Sequence, residues 1–273
     1  MKYKIGLNAY GLRFVLGNGI TEAMKTIREL GFESFEPMVN CEEAGKNQNP
    51  KYPNLIWDYQ QLIDIKEEIR QTGIEINSVH VVFNKESDPY EVGQGMRKLY
   101  EEAGIRNFVF ADGSMSNPED LQRDAFFFNR ILYEVDDIDV NVIYHPHENE
   151  FARFINLSLI DTLMLMCPDM KLQPDIGWIT FAGEDPVEFI NKYQNRVNSI
   201  HFKDLIREFG PEIRRNSFTA VGKGVVRTDE VIELLPGLNL SEYGVIICQD
   251  NSNEDYLEDL RNGVNYLRSK TEG

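Results

Sequence analysis

The chain has 273 residues, of which 42% are hydrophobic and 27% charged, a composition typical of one globular domain with a large core. The formal net charge of -17 argues against nucleic acid or an anionic membrane as a partner, because both attract basic surfaces. No apolar run is long enough to span a membrane, and the N-terminus lacks the apolar stretch of a secretory signal. The three widely spaced cysteines suggest no disulfide framework, so a reducing cytoplasm is the expected location.

Short apolar segments alternate with amphipathic segments along the whole chain. The predicted strands are 5–7, 32–37, 74–83, 107–111, 140–144, 170–172, 197–202 and 243–247. The predicted helices are 21–30, 59–69, 96–103, 120–134, 157–166, 186–193, 228–235 and 255–267. Asn117 and Pro118 provide a good start for the fourth helix, whereas the polar stretch 38–54 is predicted to be a long loop. This alternation predicts a parallel sheet, and closure into a single-domain (β/α)8 TIM barrel over 1–273 is favoured over an open doubly wound sheet.

All four histidines of the chain fall on predicted strands or at strand ends. His80 lies on the third strand, His145 and His147 end the fifth, and His201 lies on the seventh. Active sites of (β/α)8 barrels are at the carboxyl ends of the strands. We therefore expect these imidazoles to meet at that rim.

Carboxylates accompany the histidines in four segments. The fifth strand runs into Tyr144-His145-Pro146-His147-Glu148-Asn149-Glu150-Phe151, and the sixth into Asp175-Ile176-Gly177-Trp178. The seventh carries His201-Phe202-Lys203-Asp204, and the eighth ends in Cys248-Gln249-Asp250-Asn251. Carboxylate and imidazole together suit a divalent cation such as manganese, zinc or magnesium. Such a cation could hold vicinal oxygens of a sugar and stabilise an enediolate.

In this order, the four segments resemble the sugar phosphate isomerase/epimerase family of xylose isomerase-like TIM barrels, over about residues 2–267. The fifth-strand segment is similar to a family motif, Tyr-His-Asn-His followed by Glu-Phe, with Pro146 in place of Asn. The sixth- and seventh-strand segments match closely, and Val221-Gly222-Lys223-Gly224-Val225-Val226 resembles the Gly-x-Gly segment that follows. The eighth strand departs from the family, because Cys248 stands where a glutamate is usual.

The resemblance implies a divalent metal (manganese, zinc or magnesium) held at the rim by carboxylates and one histidine. Asp175 and His201 carry over as ligands. Glu150 is the matching fifth-strand ligand, although His145 occupies the strand end itself. Cys248 would be a further ligand, and a thiolate suits zinc better than manganese or magnesium. Alternatively, Cys248 acts as an acid or base, or marks a lost ligand position.

The remaining site residues are assigned by their chemistry and position at the rim. The candidate catalytic residues are His147, Glu150 and Lys203. The candidate substrate-binding residues are His80, His145 and Trp178, the last as an apolar wall for a sugar face. Simpler alternatives stand beside these roles. Lys203 forms a salt bridge to Asp204 or another acid, His80 is a packed core histidine, Glu150 is a solvated loop acid, and Trp178 is an ordinary packing residue.

The leading hypothesis is a divalent-metal-dependent isomerase or epimerase of a carbohydrate or polyol, which removes a proton next to a carbonyl and passes through an enediolate. A related dehydratase or lyase on a keto-sugar would share the proton abstraction and then expel a leaving group. Cys248 raises the alternative of a degenerate barrel that binds a sugar or a protein partner. A metal-dependent endonuclease is disfavoured by the negative charge. The sequence leaves open whether the chain forms a homo-oligomer.

Overall fold

The computed structural model describes residues 3–13, 16, 19–42, 55–111, 115–250 and 255–271. The strands of these ranges are β1 (Ile5–Asn8), β2 (Ser34–Glu36), β3 (Met38–Asn40), β4 (Ile56–Asp58), β5 (Ser78–Val81), β6 (Asn107–Phe110), β7 (Asn141–Tyr144), β8 (Arg153–Phe154), β9 (Leu157–Ser158), β10 (Lys171–Leu172), β11 (Ile200–Phe202), β12 (Asp204–Leu205), β13 (Phe218–Thr219) and β14 (Val245–Ile247). The α-helices are α1 (Ile20–Leu30), α2 (Tyr59–Gln71), α3 (Pro89–Ala103), α4 (Pro118–Glu134), α5 (Leu159–Met166), α6 (Ile176–Phe181), α7 (Pro186–Lys192), α8 (Thr228–Leu234) and α9 (Tyr256–Thr271).

The parallel strands close into a barrel. β1 pairs with β14 on one side and with β2 on the other, and β2 continues across Pro37 into β3. The sheet then runs through β5, β6, β7 and β10. Single parallel bridges, Leu172 to Val197 and Asp175 to His201, connect β10 to β11, which pairs with β14 and completes the ring. With β2 and β3 counted as one strand, the prediction of a single-domain (β/α)8 barrel is confirmed.

The helices pack on the outside of the barrel, where their apolar residues and those of the strands form one core. The predicted start of α4 is confirmed, because the Asn117 side chain accepts hydrogen bonds from the backbone N–H groups of Glu119 and Asp120. The three cysteines are unpaired and buried, in agreement with the expected lack of disulfides. Within the described ranges, no helix combines the length and apolar character needed to cross a bilayer.

Besides the short strands β4, β8, β9, β12 and β13, which were not predicted, three segments differ from the sequence prediction. Residues 38–40 form β3 rather than the start of a loop, because the chain resumes the second strand after Pro37 and pairs with β4 and β5. The part of the predicted loop at 43–54 lies outside the described residues. The third helix begins at Pro89, with Asp88 as its cap, rather than near Met96. The short helix α6 was not predicted. It starts at Ile176, shortly after the sixth strand ends at Leu172, and Asp175 caps it.

Candidate active site

All four histidines line one cavity of about 420 Å³ at the carboxyl ends of the barrel strands. Lys203, Trp178 and Cys248 line it as well. A second cavity of about 490 Å³ lies at the opposite end of the barrel, and none of the predicted site residues lines it. The sequence prediction therefore selected residues that the fold brings together at one rim.

Glu36 lies at the centre of the polar network beneath this cavity, and the sequence prediction missed it. Its carboxylate accepts hydrogen bonds from Asn8 Nδ2 (2.8 Å), Ser78 Oγ (2.6 Å), Gln173 Nε2 (3.0 Å) and His201 Nε2 (2.9 Å). Burial alone would raise the pKa of Glu36, but contacts with His201, His80 and Ser78 hold it well below its usual range. Glu36 is therefore a fixed, buried anion that orients its neighbours.

Gln173 connects Glu36 to two imidazoles and orients their rings. Its amide nitrogen donates to the Glu36 carboxylate and to Ser199 Oγ, which leaves its oxygen directed at the histidines. That oxygen lies 3.0 Å from His145 Nδ1 and 3.3 Å from His80 Nε2. Because a carbonyl oxygen only accepts hydrogen bonds, both ring nitrogens must carry a proton.

Lys203 is held between two carboxylates at the wall of the cavity. Its ammonium nitrogen lies 2.9 Å from Asp175 Oδ2 and 3.0 Å from Asp250 Oδ2. Burial would lower the pKa of Lys203, but the two carboxylates raise it above its usual value, so the side chain stays charged. Gly177 makes room for it, since a Cβ there would lie 2.8 Å from Lys203 Cγ. The salt bridge predicted for Lys203 therefore exists, but its partners are Asp175 and Asp250 and not Asp204.

Asp175 has two structural tasks at once. Its Oδ1 accepts from the backbone N–H of Trp178 at 2.9 Å and caps α6, while its Oδ2 points to Lys203. The indole ring of Trp178 lies 4.9 Å from the Lys203 ammonium and 4.8 Å from the Arg214 guanidinium. Trp178 therefore forms a wall of the cavity with two cations close to its ring.

Asp204 connects two of the motifs noted in the sequence. Its carboxylate accepts from the backbone N–H groups of Gly222 (3.0 Å), Gly224 (2.9 Å) and Val226 (3.0 Å). A Cβ at Gly224 would meet Asp204 Oδ1 at 2.2 Å, so the segment needs glycine at this point. The Gly-x-Gly turn is thus fixed by Asp204.

Glu150 lies behind the cavity wall. It is fully buried, and its two oxygens accept from the Tyr144 hydroxyl (2.9 Å) and from the backbone N–H of His147 (3.1 Å). Among the described residues, it belongs to neither group of side chains that converge closely enough to hold a metal ion. In this position Glu150 fixes the turn that carries His147.

The arrangement of donors fits a divalent cation. One ligand atom each from Asp175, His201 and Cys248 lie within 4.8 Å of one another, and the ring nitrogens of His80, His145 and His201 converge similarly. The His201 Nδ1 atom is buried and has no hydrogen-bond partner in the described part of the chain. A buried ring nitrogen without a partner, next to a carboxylate and a thiol, is a suitable ligand position. Burial raises the pKa of the Cys248 thiol, with Lys203 acting in the opposite direction.

Burial holds three imidazoles of the site neutral, those of His80, His145 and His147. Burial lowers the pKa of His80 to about 4, although Glu36 acts in the opposite direction. Burial also holds the pKa values of His145 and His147 well below the usual range. His147 is half-buried and lines the cavity, so a neutral imidazole is presented to it.

The cation-free protein is expected to lose stability as the pH falls from 6.5 to about 4. In this range the unfolded chain protonates His80 while the folded chain does not, so acid favours unfolding. The difference corresponds to roughly 3 kcal/mol of unfolding free energy for this one residue. Urea unfolding across the range measures it, and His80→Gln should reduce the slope by about 1.4 kcal/mol per pH unit. Equal slopes for the two proteins would contradict the assignment.

The closed barrel and its polar rim define a TIM-barrel protein with an enzyme-like site at the carboxyl ends of the strands. A family model described as xylose isomerase-like TIM barrel matches residues 24–270, and the chain belongs to this family. The resemblance in the sequence is thereby confirmed.

Similar proteins were found by sequence and by structure. An inosose dehydratase of Clostridium beijerinckii is 25% identical over 169 residues, which are 57% of this chain and 56% of that protein. An inosose dehydratase of Lacticaseibacillus casei is 28% identical over 131 residues, 43% of either chain. The chain thus matches about half the length of these relatives. A sugar phosphate isomerase/epimerase of Parabacteroides distasonis superimposes with a TM-score of 0.77 at 18% identity, covering 98% of this chain and 94% of that one.

Proposed function

We propose that this chain is an enzyme that removes a proton next to a carbonyl of a keto-sugar or keto-polyol. The observation that carries the proposal is the Lys203 ammonium, fixed by Asp175 and Asp250 in a cavity that is lined by the neutral imidazoles of His80, His145 and His147. An ammonium has three N–H groups, and two carboxylates leave one for an oxygen of the substrate. The sequence relatives named inosose dehydratase support this class of reaction.

His147 is the acid and base of the proposed reaction. Its imidazole is neutral and lines the cavity, so it can accept a proton from carbon. Glu150 positions it through the backbone hydrogen bond to His147. Lys203 stabilises the negative charge that develops on the substrate oxygen, and its raised pKa keeps the proton on nitrogen. A divalent cation bound by Asp175, His201 and Cys248 would polarise the same carbonyl.

Dehydration fits the arrangement better than epimerisation does. In a syn elimination, one group takes the proton from carbon and returns it to the departing hydroxyl. A C–H and a C–O bond break, a C=C bond forms and water leaves, so His147 alone suffices. Epimerisation needs a second acid or base on the opposite face of the carbon.

Epimerisation or isomerisation is the second candidate, and Cys248 is the residue that favours it. Cys248 follows β14 and His147 follows β7, with β10 and β11 between these strands in the barrel, and both side chains line the same cavity. Cys248 is therefore the candidate for a second acid or base. The raised pKa of its thiol makes it a weak acid, which is why dehydration is preferred.

The two outcomes can be separated in deuterated water. The purified protein, with zinc, manganese or magnesium added, is incubated with an inosose and with a ketohexose, and products are analysed by NMR and mass spectrometry. Loss of water from the inosose is the expected result. A product that has lost no water, and in which one carbon centre is inverted and carries deuterium, indicates epimerisation. His147→Gln should slow either reaction by roughly 100-fold or more. Absence of deuterium exchange in every substrate would contradict proton abstraction.

A further inference from the structure

We propose that this site selects zinc over magnesium and manganese, with His145, Asp175, His201 and Cys248 as its ligands. The inference rests on the proposed function only in placing the active site at this rim. It assigns His145, rather than Glu150, to the fifth-strand ligand position. It also assigns a ligand role to Cys248, so that the thiol is a determinant of metal choice.

His201 offers its Nδ1 atom to a metal. Its Nε2 donates to Glu36 Oε1 at 2.9 Å, which leaves Nδ1 as the ring nitrogen available for a ligand role. Nδ1 is buried, has no hydrogen-bond partner among the described residues and lies 3.9 Å from Asp175 Oδ2. A carboxylate that receives the other N–H of a metal-binding histidine is a common support of such ligands.

His145 offers a second ring nitrogen to a metal. The Gln173 oxygen requires a proton on His145 Nδ1, so the lone pair of the neutral ring is on Nε2. This Nε2 atom lies 3.8 Å from Asp175 Oδ2. Neighbouring ligands of a tetrahedral zinc site lie roughly 3.3 to 3.8 Å apart, as follows from bonds of about 2.0 to 2.3 Å. His145 Nε2 at 3.8 Å and His201 Nδ1 at 3.9 Å are therefore spaced around Asp175 Oδ2 nearly as zinc ligands would be.

Sulfur is part of the donor set. Cys248 converges with Asp175 and His201, whose ligand atoms lie within 4.8 Å of one another, and His145 Nε2 lies beside this group, 3.8 Å from Asp175 Oδ2. Magnesium requires oxygen ligands in octahedral arrangement, whereas zinc accepts nitrogen, sulfur and oxygen in a tetrahedral one. The glutamate usual in the family at the Cys248 position would favour a harder cation, so this chain's substitution changes the metal preference.

Charge balance also favours a divalent ion. The one ammonium, Lys203, lies between Asp175 and Asp250, and a third buried carboxylate, Glu36, lies beneath the same cavity beside His201. Lys203 shares the Asp175 Oδ2 atom, but a carboxylate oxygen has lone pairs for both the ammonium and a metal. The carboxylates outnumber the ammonium, and a divalent cation would offset this excess of negative charge.

Metal binding tests the proposal without reference to turnover. The protein is stripped with a chelator, kept reduced and titrated with zinc or manganese alone. One zinc per chain should bind, with an affinity roughly 10³-fold or more above that for manganese. Cobalt should give the near-ultraviolet thiolate absorption of a sulfur ligand. Cys248→Ser should abolish this absorption and lower the zinc affinity by about 100-fold. Cys167→Ser is the matched control, because it alters a buried thiol directly after α5, and it should keep both the absorption and the affinity.

Two further variants separate this inference from the proposed function. His145→Gln should weaken zinc binding, whereas His147→Gln should bind zinc normally and lose turnover. Cys248→Glu should shift the preference towards manganese, which provides a gain to measure if Cys248→Ser folds poorly. Equal zinc and manganese affinities in the wild type, or an unchanged cobalt spectrum in Cys248→Ser, would overturn the assignment. Selective zinc binding without turnover of any keto-polyol would instead contradict the proposed function alone.

Discussion

Replacing Lys203 with methionine is expected to lower kcat/KM of the proposed reaction by roughly 10³-fold. Methionine keeps an unbranched apolar stem beside Gly177 and Trp178 but removes the charge that Asp175 and Asp250 hold in the cavity. The enediolate oxygen would lose the positive charge that stabilises it. The ground-state substrate carries less negative charge on this oxygen, so its binding would lose much less stabilisation. The loss should therefore appear mainly in kcat.

The Lys203→Met variant also separates catalysis from cation binding. Without the ammonium, Asp175 and Asp250 carry more uncompensated negative charge, so the affinity for a divalent cation should rise or remain as it was. Lys223→Met is the matched control, because Lys223 is exposed on the Gly-x-Gly turn. Wild-type turnover in Lys203→Met would remove this residue from the reaction. A parallel loss of cation affinity would show that the variant acts by damaging the site.

The barrel could be predicted from sequence because its signals are local. Buried strands and amphipathic helices alternate, and a glycine or a capping side chain marks one end of most helices. The errors occurred where tertiary contacts decide the local structure. β3 exists because it pairs with β4 and β5 beyond Pro37, and α6 exists because Asp175 caps it directly after the sixth strand. Neither feature has the length of periodic pattern that a sequence prediction needs.

The site was predictable as far as its residues carry distinctive chemistry. The four histidines, Asp175 and Lys203 stand in recognisable segments, and the fold brings them to one rim. Glu36 carries no such signal, because its partner His201 lies 165 residues away and the chain has many glutamates. Its position at the end of a predicted strand, directly before Pro37, was the available clue. Gln173, directly after a short strand, has a similar position and was missed for the same reason.

Glu36→Gln is expected to cost roughly 2 to 4 kcal/mol of unfolding free energy. The glutamine amide has nearly the same shape as the carboxylate, but it replaces one acceptor oxygen with a donor among Asn8, Ser78, Gln173 and His201. If the new N–H₂ group faces Gln173, two donors oppose each other in a buried site. Urea unfolding at neutral pH measures the loss, with Glu29→Gln on the exposed face of α1 as the control.

Glu36→Gln should also weaken metal binding, because it changes the orientation of Gln173 and so the protonated nitrogen of His145. The Gln173 amide can relieve the conflict by turning over, which presents its N–H₂ group to His145 and His80 and forces the proton of neutral His145 onto Nε2. The lone pair directed at the proposed metal position would then be lost. Zinc affinity should fall by about 10- to 100-fold in Glu36→Gln, and a second substitution, Gln173→Glu, should restore part of it by returning an acceptor to His145. Wild-type stability and zinc affinity in Glu36→Gln would show that the imidazoles are oriented by something other than Glu36.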